Sequence, residues 1–396
     1  PSRSEGQFLS ELITPLLSGA LMQFIYLSIT FLAAEYLTRQ AFPKHPQLFT
    51  WLEPKQAGSS TSLKQVGMGY AMMFIDLGYI ALFYLTALQI PGVWSPSFNL
   101  TDPNFLASYI PFFSPFANSL HAGIWEEFLF RALPIALAAI AGRAFKRPKL
   151  FIGVALVLQA VIFGLAHASY PQQPSYIRII ELSIPFFFWG LAYIYFGLLP
   201  CIISHYTYDM FVMSEAVMFI KTPGIWIQQT FALLCLFLPI ILILLQKVRY
   251  SHIFSWPDTP LSARNISWKA DPITNTKDTA HTPIIQQATP PNSSQVLILC
   301  ASAVIGLGSL IFYGQGLVYP STKLTISKAD ALSIGQIEAE KFLDMQKPWT
   351  VSITAQTSNS MLPHYLESKI GAEKTEKLFQ NRMLGTIEKP DCLDSF

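Results

Sequence analysis

The sequence predicts an all-α polytopic membrane protein of about eight transmembrane helices, followed by a small α+β extramembrane domain. Three observations carry that expectation. Of 396 residues, 52% are hydrophobic and 13% charged, about half the roughly 25% charged content of an average soluble chain. Residues 1–319 hold only 31 of the 50 charged side chains, whereas residues 320–396 hold 19 in 77 positions, the density of a soluble domain. Eight mostly apolar stretches reach the ~20 residues needed to cross a hydrocarbon layer about 30 Å thick. A net charge of +2 lacks the basic footprint of a nucleic-acid binder, so no nucleic-acid partner is expected. Of four cysteines, Cys201, Cys235 and Cys300 sit inside apolar runs, which gives neither a disulfide framework nor metal-type spacing.

In chain order the apolar stretches run over 12–37, 67–90, 117–141, 150–168, 178–199, 200–220, 226–246 and 296–319. Residues 1–66 thus hold the first span and a basic loop, and 67–246 form a core of six spans. The segment 247–295 is rich in Pro, Thr, Ser and Asn and reads as a flexible linker. The last span occupies 296–319. In the tail, 320–396, the spacing around Leu332, Ile334, Ile337 and Phe342 predicts a helix, Trp349 to Thr354 alternates as a strand should, and 367–384 predicts a second helix. Lys and Arg collect in 38–66, 142–149 and 247–295 and are absent from 91–116 and 169–177. Basic loops stay on the cytoplasmic side, so those three segments are expected there and the tail opposite. On that opposite side Asn99-Leu100-Thr101 fits a glycosylation acceptor.

Charges inside the membrane are the informative ones, because each costs roughly 2.5–3.5 kcal/mol on insertion scales. The third span contains His121, then Glu126-Glu127-Phe-Leu-Phe-Arg131. Neighbours on a helix diverge by about 100°, so Glu126 and Glu127 point apart, whereas Glu127 and Arg131 at i, i+4 can pair and leave Glu126 free. The fourth span ends Phe163-Gly-Leu-Ala-His167, and the sixth contains His205-Tyr-Thr-Tyr-Asp209. Together Glu126, His167, His205 and Asp209 supply a base, two imidazoles and a second carboxylate, a set suited to hydrolysis inside the bilayer. One tension is built into this reading: His167 falls at the outer end of its span and His205 near the inner end of its own. The alternatives are longer, tilted helices or a turn near Pro200 that lies deep in the membrane.

These three ordered motifs, Glu126-Glu127-x-x-x-Arg131, Phe163-x-x-x-His167 and His205-x-x-x-Asp209, resemble those of the type II CAAX prenyl endopeptidases. That wider group of CAAX proteases and bacteriocin-processing enzymes, the Abi family, comprises glutamate-dependent intramembrane proteases. The resemblance covers roughly residues 65–246. It implies that Glu126 activates water with His167 as its partner, that His205 and residue 209 orient the scissile carbonyl or stabilise its oxyanion, and that Glu127 and Arg131 hold the site together. The substrate it implies is a membrane peptide or a lipidated protein. The last motif position, often Asn in the family, is here Asp209, which when ionised only accepts hydrogen bonds. Three readings follow: a protonated Asp209, an acceptor that orients His205, or a cation ligand.

The third reading admits zinc held by Glu126, His167, His205 and Asp209, although the zinc-helix patterns with paired histidines are absent; the preferred reading requires no cofactor. Structural readings stand beside the functional ones. Glu127 and Arg131 can be an ion pair that only fixes register. His121 matches no motif position. Glu35, Arg178 and Glu181 lie near span ends and are expected to snorkel, and Asp76 and Glu215 are tied to no pattern. Two other classes use such residues: a proton-coupled transporter, which would lack a cleaved product, and an immunity or adaptor protein of the same architecture that needs no proteolysis.

Overall fold

The computed structural model describes residues 5–93, 108–170, 172–219, 223–250, 256–267 and 293–316, with a few helical residues between 330 and 374. Among these the chain is helical, without strands. The helices are α1 (Glu5–Ala41), α2 (Pro54–Ala57), α3 (Ser60–Ala87), α4 (Phe113–Glu126), a π-helical turn (Glu127–Ala132), α5 (Leu133–Ala144), α6 (Pro148–Ala166), α7 (Ser175–Phe196), α8 (Leu199–Met213), α9 (Glu215–Phe219), α10 (Ile225–Leu236), α11 (Leu238–Tyr250) and α12 (Ser293–Gly316). The start signals are local. The Ser59 side chain caps α3 by accepting from the Ser62 amide at 3.3 Å. Pro148 and Pro200 occupy the first turns of α6 and α8, where their missing N–H leaves no hydrogen bond unmade.

Among the described residues, each of the eight apolar stretches falls mostly on helix. By length and composition four helices can cross a bilayer, namely Ile13–Ala41 within α1, α3, α6 and α7. A fifth span results if α10 and α11, bent by 70°, count as one. The chain is thus an integral, multi-pass membrane protein. Two of the three segments that carry the motifs fall short of the apolar standard for a physical reason. The run from α4 to α5 holds Glu126, Glu127, Arg131 and Arg143, and α8 has only 15 residues. All of 268–292, the glycosylation tripeptide at Asn99 and all but a few residues of the tail expected to be α+β lie outside the described residues.

The three basic segments meet at one end of the bundle. Arg143 donates to the carbonyls of Ala41 and Gln40 at 3.1 and 2.9 Å. Lys247 donates to Gly58 O at 3.1 Å and lies over the Trp256 ring. Residues 256–267, inside the segment read as flexible linker, are packed instead: Ser60 N–H donates to Pro257 O, Gln47 N–H to Ala263 O, and the Asn265 amide to Phe42 O. Composition gave this stretch no apolar face to bury, and its packing rests on hydrogen bonds to the loop after α1.

That loop also covers the turn near Pro200. Gln65, five residues or about 7 Å into α3, donates to Phe196 O at 2.7 Å, and Gly69, a further turn along, packs against Pro200 and Ile203. The turn between α7 and α8 therefore lies well below the start of α3. It is made at Gly197, whose φ of 89° is left-handed and suits glycine. His45 covers it from above, donating from Nε2 to Ile194 O at 2.9 Å and stacking on Phe42. Burial holds the His45 imidazole down at a pKa of about 4, against an ordinary 6.5. Between those values the unfolded chain takes up a proton that the folded chain refuses, so stability falls as pH drops from 6.5 to about 4, by about 3 kcal/mol in all. His45→Gln is expected to flatten that slope when thermal unfolding in detergent is followed across the same window; an unchanged slope would refute it.

At the other flank α12 crosses α3 with Gly306 against Gly78. A Cβ built on Gly306 would lie 2.0 Å from Phe74 O, and one on Gly78 would lie 2.5 Å from the Gly306 Cα. Backbones this close admit no side chain, the small-residue contact by which membrane helices associate. Gly306→Leu is expected to separate the helices, read as loss of a cysteine cross-link engineered between α3 and α12; a cross-link formed at the wild-type rate would contradict this packing.

Candidate active site

The site forms where the α4–π–α5 rod meets α6, α7 and α8. The π turn begins at Glu127 and ends at Ala132. Such turns insert one residue into a helix, are rare, and frequently mark functional positions. Glu127 and Arg131 pair across it at 3.2 Å, both side chains fully buried, as the i, i+4 spacing predicts. Besides Arg131, the geometry gives Glu127 a second partner that the spacing does not predict. Glu127 Oε1 also lies 2.8 Å from His205 Nδ1, while Glu126 Oε2 faces Nε2 of the same ring at 3.8 Å. Adjacent side chains that diverge on the helix converge at their tips, because His205 on α8 lies between them and offers a nitrogen to each.

Asp209, one turn beyond His205, places Oδ2 3.6 Å from Nε2. Three carboxylates thus surround one buried imidazole. Nδ1 donates to Glu127, and this fixes the ring so that Nε2 faces the gap bordered by Glu126 and Asp209. Those two are the accessible members: their side chains are 18% and 17% exposed, against 7% for His205 and none for Glu127.

His167 is placed differently. It caps the C-terminus of α6, half-buried, and its Nδ1 donates to Phe163 O at 2.8 Å, leaving Nε2 as the free face. Its ring stacks on Phe163 at 4.5 Å, and Phe163 in turn meets His205 at 6.1 Å. The two histidines therefore flank one phenyl ring, and the imidazole that faces Glu126 within ion-pair distance is that of His205.

Arg131 has an aromatic rather than a polar enclosure. Its guanidinium lies 3.8 Å from the centre of the Phe186 ring, 4.8 Å from Phe163 and 5.3 Å from Trp189. Phe186 and Trp189 also bound His205, at 5.9 and 5.6 Å. Cation–π attraction of this kind is worth about 2 kcal/mol or more when water is excluded.

Several residues read as bland behave otherwise. Glu181 and Arg178 do not snorkel: Glu181 is fully buried, pairs with Arg178 and accepts from the Tyr84 hydroxyl, and Arg178 lies 4.7 Å over the Tyr170 ring, which meets His167 edge-on at 5.4 Å. Glu35 pairs with Arg39 at 2.8 Å. His121 keeps its structural reading, bonded to Gln23 at 3.0 Å and stacked on Trp125. Asp76 on α3 accepts from Trp189 Nε1 at 2.9 Å and so adjoins the site; its one signal in the sequence was a carboxylate in the middle of an apolar span. A cavity at the basic end, lined by His45, Trp51, Gln65 and Phe128, holds none of the motif residues.

Zinc is tested by the donors themselves. Among the described residues no three His, Cys, Asp or Glu side chains come together as a metal site requires. No step below is routed through a metal.

Comparison with known proteins bears on the same segment. Residues 108–211, from just before α4 into α8, match the family model described as type II CAAX prenyl endopeptidase Rce1-like. No curated protein and no solved structure matches the chain. The matched segment contains all three motifs, and the resemblance read from their order and the family match agree. Residues 108–211, about a quarter of the chain, are thus similar to the type II CAAX prenyl endopeptidase Rce1-like family, a family of proteases.

Proposed function

We propose that this protein is a membrane-embedded endopeptidase that hydrolyses a peptide bond in or near the bilayer with a water activated by Glu126. The observation that carries the reading is the convergence of Glu126, Glu127 and Asp209 on the His205 imidazole, inside the helices of the matched segment. A structural ion pair needs one carboxylate. Three around one ring, two of them partly accessible, supply proton acceptors on the side a substrate reaches.

In this mechanism Glu126 removes a proton from water as the oxygen attacks the carbonyl carbon. Glu127 accepts from His205 Nδ1 and holds the ring in place. The protonated ring donates from Nε2 to the carbonyl oxygen as negative charge develops, the role of an oxyanion donor. Asp209, beside Nε2, balances the charge of the imidazolium. His167, whose Nδ1 is taken by Phe163 O, assists the attacking water through Nε2. The proton held by Glu126 then passes to the leaving amine as the C–N bond breaks, which restores the carboxylate. The reaction consumes water alone and requires no cofactor. Its substrate class is a membrane peptide or lipidated protein that enters from the bilayer.

The test is a comparison of peptide termini in membranes carrying the wild type or Glu126→Gln. A terminus present only with the wild type is expected. If none differs while Glu126→Ala retains the biological activity, the adaptor reading replaces this one; pH-dependent flux without a new terminus would replace it with a transporter.

A further inference from the structure

We infer that Asp76 is a positioning residue for the active site, acting through the Trp189 indole on Arg131 and His205; the activity part of this inference rests on the peptidase reading above. Asp76 lies on α3, outside the matched segment 108–211 and outside every motif. It is 7% exposed, and no described Lys, Arg or His forms an ion pair with it. A carboxylate in mid-span is costly, and packing alone does not call for one. Its Oδ2 accepts from the Trp189 indole N–H at 2.9 Å and from the Ser204 hydroxyl at 3.5 Å.

Both donors are parts of the site's frame. Trp189 is one of the three rings around the Arg131 guanidinium and one of the three beside His205. Ser204 precedes His205 on α8. One acceptor atom thus fixes the rotation of the indole and the register of the helix that presents the imidazole. The contact needs only the acceptor oxygen of Asp76, whose two donors come from α7 and α8. Arg131 pairs with Glu127, and Glu127 holds His205, so looseness at Trp189 reaches the imidazole by two routes.

The test uses the full-length protein in detergent micelles, labelled with 15N-tryptophan. The chain has eight tryptophans, and the indole N–H of Trp189 is the cross-peak that Trp189→Phe removes. Asp76→Ala removes the acceptor oxygen; it is expected to move that peak and leave the other indoles in place. An unmoved peak overturns the inference whether or not the protein is a peptidase. With a peptide spanning the terminus found above, Asp76→Ala is expected to lower kcat by roughly tenfold or more with KM changed less than about twofold, because the interaction acts on the reacting geometry and not on substrate binding. In a Trp189→Phe background the same substitution should cost nothing further. An unaltered kcat, or an undiminished loss in that background, overturns the route through Trp189. Absence of hydrolysis by the wild type counts against the peptidase reading and leaves the indole shift to decide the contact.

Discussion

Glu126→Gln is expected to reduce hydrolysis about 10²- to 10⁴-fold, the contribution of a general base, while the amount and melting temperature of the folded protein stay near wild type. The amide keeps the shape and the polar tip of the side chain and removes the proton acceptor. Glu126 is suited to so clean a separation. Its side chain is 18% exposed, and its approach to His205 Nε2, at 3.8 Å, is longer than a hydrogen bond, so little of the fold depends on it. The measurement is single-turnover cleavage of a peptide spanning the processed site, with thermal unfolding in the same detergent. Activity above a tenth of wild type would remove Glu126 from the role of base. A melting temperature that falls with the activity would make Glu126 part of the scaffold.

Arg131→Ala is expected to do the reverse, lowering stability by about 3–5 kcal/mol and with it the yield of folded protein. Two losses combine. The Glu127 carboxylate, fully buried, loses its cation, and an uncompensated buried charge costs about that much. The rings of Phe163, Phe186 and Trp189 also lose the guanidinium they enclose and gain a void. Arg131→Met with Glu127→Gln separates the two contributions: removing both charges while filling the volume should recover much of the stability, since a buried ion pair replaced by neutral groups is often close to neutral. The double variant should fold and remain slow, because glutamine accepts from His205 Nδ1 more weakly than a carboxylate does. If Glu126→Gln and Arg131→Ala lose folded protein equally, the division between reacting and supporting charges is void.

The candidate site residues are legible in the sequence because the membrane makes charge rare. Glu126, Glu127, Arg131 and Asp209 stand out in apolar runs, and the spacing of Glu127 and Arg131 already contained their ion pair. The same logic pointed to Asp76, yet nothing in the order of residues linked it to Trp189, 113 positions away. The burial of Glu181 with Arg178 is not legible in the sequence, because nearness to a span end says nothing of which neighbour faces them. Tyr84 and Tyr79 on α3 face Glu181, one accepted by the carboxylate and the other by its carbonyl. The packed stretch 256–267 escaped notice for a related reason: it folds by hydrogen bonds to a distant loop, and periodicity detects only buried apolar faces.

The sequence by itself determined that the chain enters a membrane, roughly where its helices run, and which ionisable groups are paid for there, since all of these follow from the transfer energies of single residues and their spacing along one helix. Only the tertiary structure decided that Glu126 and Glu127 meet at the two nitrogens of one imidazole, that the turn at Gly197 sinks below the head of α3, and that aromatic rings from α6 and α7 enclose Arg131. Those depend on how separate helices are set in depth and rotation against each other. Contacts such as Gln65 to Phe196 and Gly69 to Ile203 fix that setting, and no periodicity within a single helix encodes it.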